Sequence, residues 1–279
     1  MALQVDDLDS AIALFEDCLH LQLNERRNGV AFLGSAGDHH WVELRHVPGA
    51  EPGLVKIAFA LDPDTSFEQA EQALEAAGVD YLRGGSVTDD RIRQWLRCSD
   101  PNGFEVELFR GMVRAAGAPH PKWARLERLV HVAFSVTDME KSLHFYTGVL
   151  GFGESDWIED TTVFLHASDR AHHSLVLQDR PGPARVNHLC VQTETFDDLM
   201  RARAVVKTAG LELRDDLLKH APSGSVGFYF EGVPEGLGLE FCHNHATVPQ
   251  NHVPGTYART LQAKDVWQPP ASTVRLGEK

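Results

Sequence analysis

The feature that most limits how this chain can fold is an internal repeat. Residues 3–23 (LQVDDLDSAIALFEDCLHLQL) match residues 134–154 (FSVTDMEKSLHFYTGVLGFGE) at a constant offset of 131, which pairs Val5 with Val136. Two later pairs of segments continue the match at an offset near 133: residues 31–44 with 163–177, and residues 103–109 with 236–242. Repetition at a fixed period indicates a structural unit that is used more than once. One duplicated unit of about 130 residues therefore accounts for the whole chain.

Each copy of the repeat reads as a strand, a helix, several strands, a second helix and closing strands. In the second copy, residues 129–136 (LVHVAFSV) alternate as a strand does, and residues 137–151 carry helical spacing from a Thr-Asp start to a Gly stop. The second helix is expected over residues 196–210, and its first-copy counterpart starts at Ser66. This pattern predicts an α+β fold of tandem βαβββ modules, with incomplete barrel-like sheets and the helices outside.

The repeat also predicts the domain organisation. A linker rich in Gly, Pro and Ala separates the two copies, with the boundary near residues 112–126. We predict an N-terminal domain over residues 1–115 and a C-terminal domain over residues 126–246. The tail, residues 247–279, contains several prolines, and we expect it to fold over the mouth of the pocket as a lid or wall.

Composition and charge argue against several classes of partner. The 279 residues are 43% hydrophobic, enough for two packed modules, and the formal net charge is -14 at pH 7. An acidic chain without a basic block is a poor match for nucleic acid or an anionic membrane, so neither is expected as a partner. The four cysteines form no CxxC pair, and neither a secretory signal nor a long apolar stretch occurs. These features predict reduced thiols in a cytoplasmic protein.

Three residues of the second copy are candidates for a metal site because side chains alternate faces along a strand. His131, His188 and Glu240 each share a strand face with small or polar neighbours, and bulky apolar residues lie on the opposite face. Taken alone, each is more often a hydrogen-bonded core or surface residue than a ligand. Two histidines and one carboxylate from separate strands, however, fit the facial arrangement that holds non-haem Fe(II) with open positions. Mn(II) favours the same donors and stays an alternative.

The order of these residues resembles the two-module extradiol dioxygenases of the vicinal oxygen chelate superfamily, over nearly the whole chain. The matching segments are HHSLVL with His172 and His173, RVNHLCV with His188, KHAPSGSVGFYF with His220 and Tyr229, and GLGLEF with Glu240. The resemblance implies extradiol cleavage of a catechol by O2 in a homo-oligomer that binds Fe(II) through His131, His188 and Glu240. It implies that His173 is an acid or base beside the O2 position. The residues implied to bond to oxygens of the substrate or intermediate are His220 and Tyr229.

The three candidate catalytic residues also have plainer interpretations. His173 shares a face with Leu175 and Leu177, an apolar wall that would exclude water, but a solvated histidine at a strand start would look the same. His220 sits in a polar loop, where a solvent-facing histidine is common. Tyr229 alternates with two phenylalanines, which favours a hydrogen-bond donor aimed into a cavity over a core aromatic.

The other histidines are interpreted as structural or solvent-facing. They are His20, His46, His120, His144, His166, His243 and His245. His172 is expected to point away from the site. His39 and His40 repeat the His172–His173 pair but have no metal nearby on which to act, and His252 is the tail histidine considered for a substrate contact.

Several positions depart from the family pattern. Asn187 stands where a second histidine is frequent, and Lys219 where an arginine is frequent. Neither is a ligand position, so we expect altered substrate preference or hydrogen bonding and not loss of activity. In the first copy Glu107 matches Glu240, but Ile57 stands where His188 predicts a ligand. We therefore expect this copy to bind no metal and to serve as scaffold and oligomer contact.

Two other functions stay open at this point. Glyoxalase-like isomerases and epimerases of the same superfamily also use His and Glu on paired modules, but they do not need the additional set of His173, His220 and Tyr229. A metal-free small-molecule binding protein would need no complete ligand triad, and measuring the metal in the purified protein separates this alternative. Proteins of one fold catalyse many different reactions, so the fold alone does not decide among the dioxygenase, the isomerase and the binding protein. We expect the pocket walls near Phe164, Asn187, Phe228 and the tail to determine which substrate binds.

Overall fold

The computed structural model describes residues 1–35, 37–115, 122–232 and 236–269, which form two modules. The first comprises β1 (Ala2–Gln4), α1 (Leu8–Asp17), β2 (Gln22–Arg27), β3 (Val30–Gly34), β4 (Val42–Arg45), β5 (Gly53–Ala60), α2 (Phe67–Ala76), β6 (Tyr81–Ser86), β7 (Ile92–Ser99) and β8 (Glu105–Met112). The second comprises β9 (Leu126–Val136), α3 (Met139–His144) with a π-helical turn (Phe145–Val149), β10 (Gly153–Ile158), β11 (Thr162–His166), β12 (Leu175–Asp179), β13 (Arg185–Thr193), α4 (Phe196–Thr208), β14 (Leu213–Lys219), β15 (Val226–Glu231), β16 (Gly238–His243), β17 (Gly255–Tyr257) and α5 (Leu261–Lys264). His120 and the last ten residues of the tail lie outside the described residues.

Each module is built on one open mixed sheet, and the two sheets have the same strand order. The first runs β6-β7-β8-β5-β1-β4-β3-β2, and the second runs β14-β15-β16-β13-β9-β12-β11-β10, with β17 added at its end. Each strand of the first sheet thus corresponds to the strand of the second sheet whose number is higher by eight, for example β1 to β9. This arrangement confirms the predicted α+β fold of repeated modules with sheets that do not close.

The helices begin where the sequence supplies a side chain to cap them. Asp7, Ser66, Asp138 and Thr195 each accept a backbone N–H in the first turn of α1, α2, α3 and α4. The helix predicted over residues 137–151 is α in its first half and π-helical in its second. None of the described helices is long and apolar enough to cross a membrane.

Aromatic side chains join the two modules. The ring of Phe104 stacks on that of Phe134 with 5.0 Å between centroids, and a hydroxyl–carboxylate bond of 3.0 Å links Tyr146 to Asp100. The apolar core continues from one module into the other. The second module therefore rests on a packed scaffold.

Strand register corrects one prediction about the first module. In the first sheet Lys56 lies opposite Glu105, and in the second sheet His188 lies opposite Gly238, the counterpart of Glu105 at the offset of 133. The residue in the place of His188 is therefore Lys56 and not Ile57. The prediction was wrong by one position because the offset grows along the chain, from 131 near the first strand to 133 near the last.

The ammonium group of Lys56 neutralises a fully buried carboxylate. Its Nζ lies 2.7 Å from Oε2 of Glu107, to which Arg97 donates at 2.6 Å. Because Glu107 is 0% exposed, removing it leaves two cations without their main counter-charge. We expect Glu107→Leu to lower the free energy of unfolding by about 3 to 5 kcal/mol in a urea titration.

Two further variants test this interpretation. Glu71→Leu removes a partly exposed pair with Arg83 and should cost less than about 1 kcal/mol. The double variant Lys56→Met/Glu107→Leu should recover part of the lost stability, because it replaces a buried charge pair with apolar groups. Equal costs for Glu107→Leu and Glu71→Leu would contradict the interpretation.

Candidate metal centre

Three adjacent strands at the middle of the second sheet carry the predicted ligands. Their order is β16-β13-β9, so that Glu240, His188 and His131 come from neighbouring strands. The ladder between β13 and β9 shifts register between Val186 and His188. Such an irregularity changes the direction of a side chain, and here it lets His188 approach His131 and Glu240.

The three candidate ligand atoms converge on one point. The Nε2 atoms of His131 and His188 are 2.9 Å apart. Glu240 Oε2 lies 3.1 Å from Nε2 of His131 and 3.3 Å from Nε2 of His188. Ligands at cis positions of an octahedron are separated by the bond length times the square root of two, which is about 2.8 to 3.1 Å for typical bonds of about 2.0 to 2.2 Å. Two of the three separations lie in this range and the third, 3.3 Å, is slightly longer, so the spacing is compatible with the predicted facial ligand set.

Unsatisfied polar atoms support the same interpretation. Among the described residues, eight buried side-chain nitrogen and oxygen atoms have no hydrogen-bond partner, and four of them belong to this cluster. They are both carboxylate oxygens of Glu240, Nδ1 of His131 and Nδ1 of His245. Buried polar atoms are normally paired, and of these four the two oxygens of Glu240 face the point where the candidate ligand atoms converge, which fits a carboxylate that binds a cation.

The protonation states also suit a cation. Burial lowers the pKa of His131 to about 4, so its imidazole is neutral near pH 7. Burial alone would raise the pKa of Glu240, but His131 and then His188 and His220 hold it well below its usual range. Near pH 7 His131 is therefore a neutral imidazole and Glu240 an ionised carboxylate, which are the forms that bind metal ions.

Two other groups of ligand-capable side chains overlap this one. His131, Cys190 and Glu240 come within 4.8 Å of one another, as do His131, His173 and His245. Burial raises the pKa of the Cys190 thiol well above its usual range, which disfavours the thiolate that would bind. We favour His188 as the third ligand because its Nε2 is within 3.3 Å of both other ligand atoms.

His173 lies beside the metal cluster, just before β12 and not on the strand itself. Its ring centroid is 4.3 Å from that of His131, and the side chain is buried. Burial, with His131 and His245 nearby, lowers the pKa of His173 well below its usual range. His172 makes a 2.9 Å contact through Nε2 with Oδ2 of Asp156. This contact gives His172 a structural role, but its Nδ1 also lies 3.0 Å from Nδ1 of His173, so the expectation that His172 points away from the site is wrong.

Sequence reasoning placed His245 among the background histidines, but the structure brings it to the site. Its ring centroid is 4.4 Å from that of His173, and its Nε2 accepts the backbone N–H of His173 at 3.2 Å. His245 therefore holds His173 in place. The repeat gives no signal for this role, because Met112 stands at the matching offset in the first copy.

His220 and Tyr229 form a hydrogen-bonded pair on the other side of the cluster. His220 Nε2 is 2.7 Å from the Tyr229 hydroxyl and 3.6 Å from Oε1 of Glu240. Tyr229 lies directly opposite Glu240 in the ladder of β15 and β16. Burial, followed by the charge of Glu240, raises the pKa of Tyr229 well above its usual range, so the hydroxyl keeps its proton.

A cavity of about 510 Å³ opens onto these side chains. Its lining includes His131, His173, His188, His220 and Tyr229. Phe164, Asn187 and tail residues 259, 260, 263 and 264 form further walls.

Two expectations about the walls of this cavity are wrong. Phe228 is 0% exposed and packs on Phe241, because its strand face is the core face. His252 lines no part of this cavity, since its Nε2 bonds to the Ser155 carbonyl.

Comparison with known proteins gives consistent matches. The model of the "Glyoxalase/Bleomycin resistance protein/Dioxygenase superfamily" matches residues 1–108 and 128–241. A biphenyl-2,3-diol 1,2-dioxygenase of Pseudomonas sp. (strain KKS102) is 28% identical over 257 residues, 83% of this chain and 87% of that protein. An iron-dependent extradiol dioxygenase of Rhodococcus jostii (strain RHA1) is 28% identical over 248 residues, 79% of each chain. The Mn(II)-bound glyoxalase from Novosphingobium aromaticivorans has a TM-score of 0.85 at 24% identity, over 95% of this chain and 88% of that one, which shows the shared fold.

Proposed function

The chain belongs to the glyoxalase/bleomycin resistance protein/dioxygenase superfamily, and from this premise we propose that it is an Fe(II)-dependent extradiol dioxygenase that opens a catechol ring with O2. The similarity to extradiol dioxygenases confirms the resemblance inferred from the sequence. The observation that carries the proposal is the convergence of His131, His188 and Glu240, with ligand atoms 2.9 to 3.3 Å apart, on a cavity that also exposes His173 and Tyr229.

The ligand set fits the iron that this function needs. Fe(II) held by His131, His188 and Glu240 would supply open positions for the catechol oxygens and O2, and a path by which electrons of the catechol reach O2. Two neutral imidazoles and one carboxylate leave a divalent ion with a net positive charge of one. The site therefore favours a catechol that has lost a proton.

The side chains around the ligands have separate roles in proton transfer and in hydrogen bonding to the substrate. His173 is neutral and shielded from water, so its imidazole can accept a proton from the substrate and return it later. Tyr229 keeps its proton and can donate a hydrogen bond to a substrate oxygen, while His220 orients the Tyr229 hydroxyl. We assign this chemistry to the domain of residues 126–246. We assign the scaffold role to residues 1–115 and the wall of the cavity mouth to the tail, residues 247–279.

The cellular setting is part of the proposal. All four cysteines are buried and unpaired, which suits a reducing cytoplasm. The homo-oligomer and the role of the first module as oligomer contact stay predictions, which light scattering of the purified protein tests.

Tyr229→Phe tests the predicted hydrogen bond to substrate. We expect kcat/KM to fall by about 10- to 100-fold, the value of one hydrogen bond to a charged group at about 1.5 to 3 kcal/mol, with iron content unchanged. The matched control is Tyr146→Phe, which removes a buried hydroxyl bonded to Asp100 at a position that does not line the cavity. It should lower stability and leave kcat/KM near the wild-type value. Equal activity of both variants would remove Tyr229 from the mechanism.

Anaerobic reconstitution tests the function itself. The metal-free chain is loaded with Fe(II), with Mn(II) or with no metal, and is then mixed with a panel of catechols in air. A yellow ring-opened product that requires both metal and O2 supports extradiol cleavage, and the more active metal identifies the cofactor. Bound metal without colour would favour the glyoxalase-like isomerase, and failure to bind either metal would favour a metal-free binding protein.

A further inference from the structure

The wall of the cavity is rich in positive charge. Its lining includes five arginine or lysine side chains and one aspartate, although the whole chain carries a formal charge of -14. The six residues are Arg180, Arg185, Arg214, Arg259, Lys264 and Asp215. A cationic cavity in an acidic protein concentrates anions at that place.

Three of the five cations have carboxylate neighbours within the protein. Lys264 Nζ lies 2.5 Å from Oδ1 of Asp215, and the Arg259 guanidinium lies 3.5 Å from Glu159. Arg214 has Glu231 at 3.8 Å, with Asp215 at a similar distance. These side chains are held and largely neutralised by their own surroundings.

Arg180 and Arg185 differ from the other three. Within the part of the chain that the structure describes, no carboxylate lies within 4.0 Å of either guanidinium, and neither donates a hydrogen bond to another residue. Although Arg180 stays exposed to solvent, the part of it that is desolvated, and then the neighbouring cations with Arg185 first, lower its pKa. Crowded cations without a counter-charge raise the free energy of the site, and an anion placed between them would lower it.

Arg180 and Arg185 lie apart from the candidate metal ligands, where the catechol ring would bind. Val176, Gln178 and Arg180 recur every second residue along the cavity wall from β12 into the loop that follows it. Arg185 precedes His188 by three residues on β13, which is about 10 Å of extended chain. A ring bound at the metal ligands would therefore direct a side chain, and not its hydroxyl groups, toward Arg180 and Arg185.

We propose that the substrate is a catechol with an anionic side chain, of the carboxylate class, and that Arg180 and Arg185 bind this group. The inference rests on the proposed function and adds the class of substrate to it. A guanidinium presents parallel N–H donors that match the two oxygens of a carboxylate, which suits arginine better than lysine to this task.

The test compares catechol acids with their methyl esters, which keep the ring and lose the charge. The probes are 3-(2,3-dihydroxyphenyl)propanoate and (3,4-dihydroxyphenyl)acetate, each with its ester, and the iron-loaded full chain is the enzyme. Arg180→Gln and Arg185→Gln are the variants. The matched control is Arg83→Gln, in which an arginine of β6 paired with Glu71 at 3.0 Å is replaced. Iron content is measured first for every protein.

The measured quantity is the ratio of kcat/KM for acid to kcat/KM for ester. We expect the wild type to prefer at least one acid by about tenfold or more, and each cavity variant to lose most of that preference, since one charge-assisted hydrogen bond is worth about that factor. Arg83→Gln should keep the wild-type ratio. Because both arginines are exposed, added salt should also reduce the preference.

The two possible failures are distinct. A wild-type ratio near one for both probe pairs, or a ratio that neither variant changes, would overturn the anion site while cleavage of the esters or of plain catechol leaves the proposed function intact. No cleavage of any catechol by the iron-loaded chain would contradict the proposed function and the inference together.

Discussion

Replacing His188 with alanine is expected to abolish iron retention and ring cleavage together. The Nε2 of His188 lies 2.9 Å from that of His131 and 3.3 Å from Oε2 of Glu240, so its loss leaves two of the three ligands that we propose. Changes to groups that merely support a ligand already weaken metal binding by about 10- to 100-fold, and losing the ligand itself should cost more. Iron content after gel filtration and the rate of catechol loss in air should both fall to background.

A matched histidine on the neighbouring strand is the control for this variant. His243 ends β16, three residues after Glu240, and its Nδ1 contacts the Thr193 carbonyl at 3.2 Å. His243→Ala should keep both iron and activity. Glu240→Ala should behave like His188→Ala, whereas full activity of either ligand variant would show that the assigned metal site is wrong.

His173→Ala is expected to separate iron binding from turnover. The side chain is close to the cluster but makes none of the three short contacts that define the ligand set, so iron content should stay near the wild-type value. Loss of a general acid or base costs about 10²- to 10⁴-fold in rate, and we expect kcat to fall by this amount with a smaller change in KM.

The repeat supplies a control for His173. His40 occupies the matching position in the first module and is buried to nearly the same degree, at 6% exposed against 5% for His173. His40→Ala should reproduce any loss of stability without the loss of kcat. If His173→Ala instead lost its iron, the overlapping group of His131, His173 and His245 would replace the ligand set that we assign.

Much of this fold and site follows from local rules. Side chains alternate along strands, so the faces that carry His131, His188 and Glu240 can be predicted from neighbouring residues alone. Duplication then places the strands of both modules in the same order. The resemblance adds what alternation cannot supply, namely the roles expected of His173 and Tyr229.

Other features depend on registers and loops that local rules do not fix. A one-residue drift between the copies hides the equivalence of Lys56 and His188. His245 lies beyond the end of β16, where periodicity no longer predicts the direction of a side chain, yet it meets His173. Arg180 and Arg185 bracket a loop, and their shared cavity exists only once β12 and β13 are placed in the sheet.

The most direct measurement of the central claim is oxygen uptake against catechol consumed, in a closed cell with the iron-loaded protein. The account predicts one O2 taken up per catechol, no hydrogen peroxide, and a product whose mass equals the catechol plus two oxygen atoms. Uptake without that product, release of peroxide, or turnover that continues without O2 would contradict it.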